Sequence, residues 1–177
     1  PKEDSYNEKR IALTPEAVGV IVANGHHVNV ETKAGEGANY SDKDHSEAGA
    51  KIMYDKKQVF ESDIIVKSAP VSDADCEYLR PNQYIISPIH LAIMKKEILE
   101  KMMSKKITAL SFENLKDASG HNPIVRSMSE IAGSAVMLIA AQYLGSANHG
   151  KGVLLGGISG IPPTKVIIIG AGIVGEY

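Results

Sequence analysis

A doubly wound α/β sheet is the architecture predicted for this 177-residue chain, and three observations predict it. Short β-branched runs alternate with helix-forming stretches along most of the length. The longest such run, Val166-Ile167-Ile168-Ile169, is continuous and suits a central parallel strand buried on both faces. A hydrophobic fraction of 44% with 23% charged residues is ordinary for a globular domain with a real core.

The elements follow in order. Thr14 is a good N-cap and Pro15 suits a first helical position, so a helix is expected over 15–24. Strands are expected at 27–31, 64–68, 84–87 and 107–112, and further helices at 41–48, 56–61 and 93–104. Residues 127–144 are strong helix formers, with Ser127 or Ser129 as cap and Glu130 in the first turn. That stretch is apolar almost all round, which predicts burial on several sides. A glycine-rich stretch over 145–160 and then Pro162-Pro163 break regular structure before the expected strand at 165–169. The chain reads as incomplete at both ends. It opens on a loop-like Pro1-Lys2-Glu3, and the last strand has no helix to cover it.

Composition excludes several classes of function. A formal net charge of −2 makes no electrostatic case for nucleic acid or an anionic membrane surface. Lys95, Lys96, Lys101, Lys105 and Lys106 are interleaved with Glu97 and Glu100, as on the solvated face of a helix. Cys76 stands alone in an acidic run, so neither a disulfide framework nor a reactive thiolate is expected. No apolar stretch is expected to reach the roughly 18 residues that span a bilayer. The polar start from Lys2 to Arg10 is unlike a signal peptide. A reducing cytoplasm is therefore the expected compartment. No metal is expected: the histidines show no ligand spacing, and no serine-nucleophile motif is present.

Two constellations carry chemistry. Gly170-Ala171-Gly172-Ile173-Val174-Gly175 directly follows the apolar run. In that context the first glycine permits a tight turn, the second lets backbone approach a pyrophosphate, and the third lets helix and strand pack closely. A Rossmann-like dinucleotide site is the reading; a tight turn without ligand is the plain alternative. The second constellation is Arg10, Lys67, His90 and Glu113. Lys67, His90 and Glu113 fall at or just past expected strand ends, where open α/β sheets bind ligands. Arg and Lys suit a small carboxylate, and a nearby His suits proton transfer. Taken singly, each also reads as surface charge or a structural histidine.

Glu8-Lys9-Arg10-Ile11-Ala12-Leu13-Thr14-Pro15, Gly25-His26-His27-Val28, Ala34-Gly35-Glu36-Gly37, Ser87-Pro88-Ile89-His90-Leu91-Ala92, Met128-Ser129-Glu130-Ile131-Ala132-Gly133 and the closing glycine turn together resemble the alanine dehydrogenases. The same domain occurs in the NAD-binding subunit of proton-translocating transhydrogenases. The resemblance covers nearly the whole chain and implies NAD-dependent interconversion of L-alanine with pyruvate and ammonia. It implies Arg10 as the substrate-carboxylate ligand and His90 as the acid/base. Lys67, in a Lys-Ser-Ala-Pro segment one residue shorter than the family pattern, and Glu113 would lie near substrate. Ser129, Gly170, Gly172, Ile173 and Gly175 would hold NAD. His90 in the His-Leu-Ala segment favours alanine dehydrogenase over the transhydrogenase subunit. The implied organisation is a substrate domain over 1–126, an interdomain helix and link over 127–163, and the start of an NAD-binding Rossmann domain over 164–177. A homo-oligomer is also implied. The rival expectation is a folded module that is inactive as it stands.

Overall fold

The computed structural model describes residues 1–4 and 7–177. It divides into two compact units, Pro1–Glu113 and Asn114–Tyr177. The expected boundary near residue 126 therefore falls inside a helix of the second unit.

The first unit is an alternating α/β arrangement. Helix α1 (Pro15–Ala23) begins where expected, with the Thr14 hydroxyl accepting from the Ala17 amide and Pro15 at its start. Strand β1 (Asn29–Glu31) follows, then α2 (Asp42–Glu47), capped by a reciprocal Ser41–Asp44 pair. Strand β2 (Lys51–Met53) was not expected from sequence; it pairs in parallel with β1. Helix α3 (Lys56–Val59), β3 (Ile64–Val66), α4 (Asp73–Tyr78), β4 (Tyr84–Ser87), α5 (Lys96–Ser104) and β5 (Thr108–Ser111) complete the unit. The strands form two parallel sheets, β1-β2 and β3-β4-β5.

Each sheet has its own core. Val18 of α1, Val30 of β1 and Ala50 pack together on the small sheet. Phe60, Ile65, Val71, Ile85, Ile98 and Met102 form the core of the larger one. Helices α4 and α5 are also joined by charge. Lys95 reaches Asp73 at 3.4 Å and Lys101 reaches Glu77 at 3.1 Å. Lys105 Nζ donates to the Cys76 and Leu79 carbonyls at 2.7 and 2.8 Å, satisfying the end of α4. The lysine cluster is thus partly a clasp onto α4, beyond the solvated face that its pattern suggests. Burial is the main cause that pushes the Cys76 thiol up; Lys101 opposes it, and Asp73 and Asp75 add to it. The expectation of an unreactive cysteine agrees with that.

His45 is buried although its neighbours in sequence are polar. It is 1% exposed, with Nδ1 3.1 Å from the Ser41 carbonyl and Nε2 3.2 Å from the Leu13 carbonyl. The ring is a strut between α2 and the segment leading into α1.

The second unit corrects four expectations. Helix α6 (Pro123–Leu144) starts four residues early, with Pro123 in its first turn. Ser127 and Ser129 are inside the helix, and their hydroxyls bond back to the Pro123 and Val125 carbonyls. The helix is also mostly exposed. Ile131 is 70% and Leu138 75% accessible, because within this unit only a short 3₁₀ turn (Ser146–Asn148) and α7 (Ile173–Glu176) pack on it. Among the described residues it is the one helix long and apolar enough to cross a membrane, by length and composition only, which corrects the expectation that no stretch reaches that length. Residues 165–169 do not form a strand. A strand needs a ladder partner, and this unit offers only an isolated Ile158–Ile161 bridge; Ile169 is 97% exposed.

Replacing His45 with Ala removes a buried strut and leaves two carbonyls facing a void. The expected cost is about 2–3 kcal/mol of stability, read as a lower urea midpoint with an unchanged denaturant slope.

Candidate functional site

The β3-β4-β5 sheet positions the first-unit candidates. Lys67 immediately follows β3, His90 lies three residues past β4, and Glu113 lies two past β5. All three are therefore at the C-terminal edge of one parallel sheet, as the alternation of elements led us to expect.

His90 and Glu113 are brought together. The Glu113 carboxylate accepts the His90 backbone N–H at 3.0 Å, and its other oxygen lies 2.9 Å from Nδ1. His90 has φ +47°, a backbone region that non-glycine residues rarely adopt. Its carbonyl accepts from the Ile93 and Met94 amides, which hold the strained turn. A carboxylate beside Nδ1 keeps the proton on that nitrogen and leaves Nε2 as the basic one. The His90 side chain is half exposed, so Nε2 is open to a ligand.

Lys67 has a different setting. It is 2% exposed, with Nζ 2.8 Å from Glu3 Oε2 and 2.9 Å from Asp75 Oδ2. Lys56 approaches Asp75 at 3.1 Å and also pairs with Asp4. Burial alone would raise the Asp75 carboxyl, but the Lys67 ammonium, the Ser72 amide and Lys56 hold it below the usual range. For Lys67, burial would lower the ammonium, and Asp75 and Glu3 together raise it above its ordinary value. Glu3 also accepts the Ser68 and Ala69 amides at 2.7 and 3.2 Å. The network ties the first residues of the chain to the end of β3 and the start of α4.

Arg10 is not drawn into that network. Its guanidinium grips the Glu8 carboxylate by two bonds, Nε to Oε1 at 2.9 Å and Nη2 to Oε2 at 2.6 Å. Arg10 is about half exposed and Glu8 is 14% exposed. The guanidinium bond holds the Glu8 carboxyl below its ordinary value.

Two hydroxyls were not anticipated from sequence. Ser87 and Ser111 are register partners at the C-terminal ends of β4 and β5. Neither Oγ has a hydrogen-bond partner among the described residues, and Ser87 is fully buried. Their place as last residues of strands was the available signal.

In the second unit the glycine turn has the form its pattern requires. Gly170 adopts φ +109°. Gly172 is the N-cap of α7, with Ile173 first in the helix. A Cβ on Gly175 would lie 2.2 Å from the Gly170 carbonyl oxygen, so the third glycine is needed for the turn to close on itself. The hollow beside this turn is lined by Ile168, Gly170, Ala171, Gly175 and Glu176. Gly133 of α6 lets α7 approach: a Cβ there would lie 2.6 Å from the Val174 carbonyl. Ser129 is one turn earlier on α6, and its hydroxyl is engaged with Val125.

A parallel-sheet α/β unit with a His–carboxylate pair at its C-terminal edge, followed in the chain by a unit bearing a Gly-x-Gly-x-x-Gly turn, defines the class as a two-unit α/β protein. Comparison with known proteins makes this specific. Residues 1–132 match the alanine dehydrogenase/PNT N-terminal domain, and 135–177 match the corresponding C-terminal domain. The chain belongs to the alanine dehydrogenase/PNT family. It is 38% identical over 176 residues to an alanine dehydrogenase of Methanococcus maripaludis, covering 99% of this chain and 47% of that protein. It is 37% identical over 175 residues to one of Bacillus subtilis, covering 99% and 46%. A solved L-alanine dehydrogenase structure superposes with a TM-score of 0.94 at 35% identity, over 99% of this chain and 48% of that one. A transhydrogenase structure from Sinorhizobium meliloti shares the fold, with a TM-score of 0.70 at 24% identity over 81% of this chain and 43% of that one. The chain spans about half the length of the curated relatives it matches.

Two outcomes are expected. Lys67→Met leaves Asp75 and Glu3 buried without their shared cation and costs about 3–5 kcal/mol. In the parent protein the Asp75 contribution is present above the unfolded carboxyl pKa of about 3.9 and is lost as pH falls through the depressed folded value. The Lys67 contribution is present below the ordinary lysine pKa of about 10.4 and is lost as pH rises through its raised folded value. Stability measured by urea unfolding across pH should therefore fall at both extremes, and K67M should flatten the acid limb. Separately, Gly175→Ala should displace the glycine turn. Slowed or doubled amide signals at 170–177 in a nuclear magnetic resonance spectrum, with the first unit unchanged, would register it.

Proposed function

We propose that this chain supplies the substrate-binding part, and the opening of the cofactor-binding part, of an NAD-dependent alanine dehydrogenase that interconverts L-alanine with pyruvate and ammonia. The observation that carries the reading is the His90–Glu113 pair at the C-terminal edge of β3-β4-β5. Membership of the alanine dehydrogenase/PNT family supports it.

The chemistry follows from the residues. With bound NAD as hydride acceptor, alanine in its free-amine form would become an iminium at Cα; water would add to it, and the carbinolamine would lose ammonia together with its hydroxyl proton to leave pyruvate. His90 Nε2 takes the proton of the attacking water and returns it to the departing amine. Glu113 fixes the ring and stabilises the imidazolium that forms. Arg10 binds the substrate carboxylate through its planar fork. Glu8 holds that fork in the structure, so substrate binding exchanges one carboxylate for another. Lys67 supplies positive charge from within its buried pairs, and direct contact with substrate would mean substrate replacing Glu3. NAD supplies the hydride acceptor. Gly170, Gly172, Ile173 and Gly175 would cradle its pyrophosphate: open space beside Gly170 and Gly172 leaves the backbone approachable, and Gly175 lets the turn close. Ser129 would reach the same cofactor by releasing Val125. A buried thiol at Cys76 fits a reducing cytoplasm.

In the intact enzyme, His90→Ala should lower kcat for NAD-dependent alanine oxidation by about 10²–10⁴-fold. Glu113→Gln should lower kcat less and move the pH profile of kcat/KM, while NAD affinity stays unchanged. Near-normal turnover by His90→Ala would overturn the assignment.

A further inference from the structure

The two members of the Arg10–Glu8 pair are held unequally. Glu8 Oε1 accepts from Arg10 Nε at 2.9 Å and also from the Arg10 backbone N–H at 3.0 Å, while Oε2 accepts from Nη2 at 2.6 Å. The carboxylate is thus anchored by backbone as well as by side chain. It is 14% exposed, against 54% for the arginine side chain. The backbone of the pair is braced too. A Cβ on Gly37, in the 3₁₀ turn Glu36–Ala38, would lie 2.9 Å from the Lys9 carbonyl oxygen and 3.0 Å from the Lys9 Cα. The Ala34-Gly35-Glu36-Gly37 segment therefore lets a neighbouring turn press directly on Glu8-Lys9-Arg10. The carboxylate is the fixed partner, and the guanidinium is the one free to leave. The Glu8 bond is the main cause that raises the Arg10 guanidinium, and Glu3, the carboxylate paired with Lys67, adds to it.

We propose that Glu8 is an internal carboxylate that sets the affinity of the substrate site: it occupies the Arg10 fork in the empty enzyme, and an amino or oxo acid binds only by displacing it. This rests on the reading of Arg10 as the ligand of the substrate carboxylate. A site that is open for only a fraction of the time binds its ligand more weakly by that fraction. A part-exposed arginine–carboxylate pair is modestly favourable in water, so it closes the fork and remains displaceable. On release Glu8 keeps the Arg10 amide as a partner, so departure of the guanidinium does not leave the carboxylate bare. The weakening is common to every ligand that uses the fork, alanine and pyruvate alike.

The test is steady-state kinetics of the intact enzyme in both directions, for Glu8→Gln, Glu8→Ala, Arg10→Gln and the E8Q/R10Q double variant. Gln keeps the length of Glu8 and removes its charge, and Ala removes any bond that Gln retains. Both Glu8 variants should lower KM for alanine and for pyruvate by about three- to tenfold, with kcat and the KM for NAD little changed. R10Q should raise both substrate KM values, and in its background E8Q should have no further effect, because the fork that it frees is gone. An unchanged or raised substrate KM in both Glu8 variants, beside a raised KM in R10Q, would overturn the proposal and leave the functional reading standing. So would a fall in KM that persists in the double variant. A substrate KM that R10Q does not move would instead overturn the reading of Arg10, and this proposal with it.

Discussion

The Lys67 ammonium, held between Glu3 and Asp75, is the interaction on which the first unit depends. One buried cation ties together three parts of the chain distant in sequence: the first residues, the end of β3 and the first turn of α4. Removing charges from water is expensive, and the network is stable only because each carboxylate has further partners. Asp75 also takes the Ser72 amide and Lys56, and Glu3 also takes the Ser68 and Ala69 amides. The segment past β3 is thereby fixed, and the C-terminal edge of the sheet that carries His90 and Glu113 is built on it.

Local signals in the sequence located most elements of the first unit, but helix α4 (Asp73–Tyr78), with its reciprocal Ser72–Asp75 cap, was not expected. Thr14-Pro15 placed α1, and the β-branched runs placed β3, β4 and β5 within a residue or two. Strand β2 was missed because Lys51-Ile52-Met53 has little β-branched character and owes its conformation to pairing with β1. The second unit shows the opposite error. Residues 165–169 have strong strand character, but intrinsic preference cannot replace a ladder partner. In α6, two serines looked like caps, while the operative start signal was Asn122-Pro123.

The candidate site was legible in part. Placement of Lys67, His90 and Glu113 after strands followed from the alternation of elements. That His90 and Glu113 touch did not, because 23 residues separate them and only the β4–β5 register brings them side by side. Burial of Lys67 was not legible either, since its partners Glu3 and Asp75 lie far off in sequence. The Arg10–Glu8 fork was available in Glu8-Lys9-Arg10, although the pairing depends on a turn that spacing alone does not specify.

Gly133 has a consequence for reading genetic data on this family. It lies in the middle of a long exposed helix, far in sequence from the glycine turn, yet its missing side chain is what lets the Val174 carbonyl and Tyr177 sit against α6. Any side chain at 133 pushes α7 away and drags the glycine turn with it. In a mutational scan such a position would score together with the glycine turn itself, through the backbone separation and not through any contact of its own side chain.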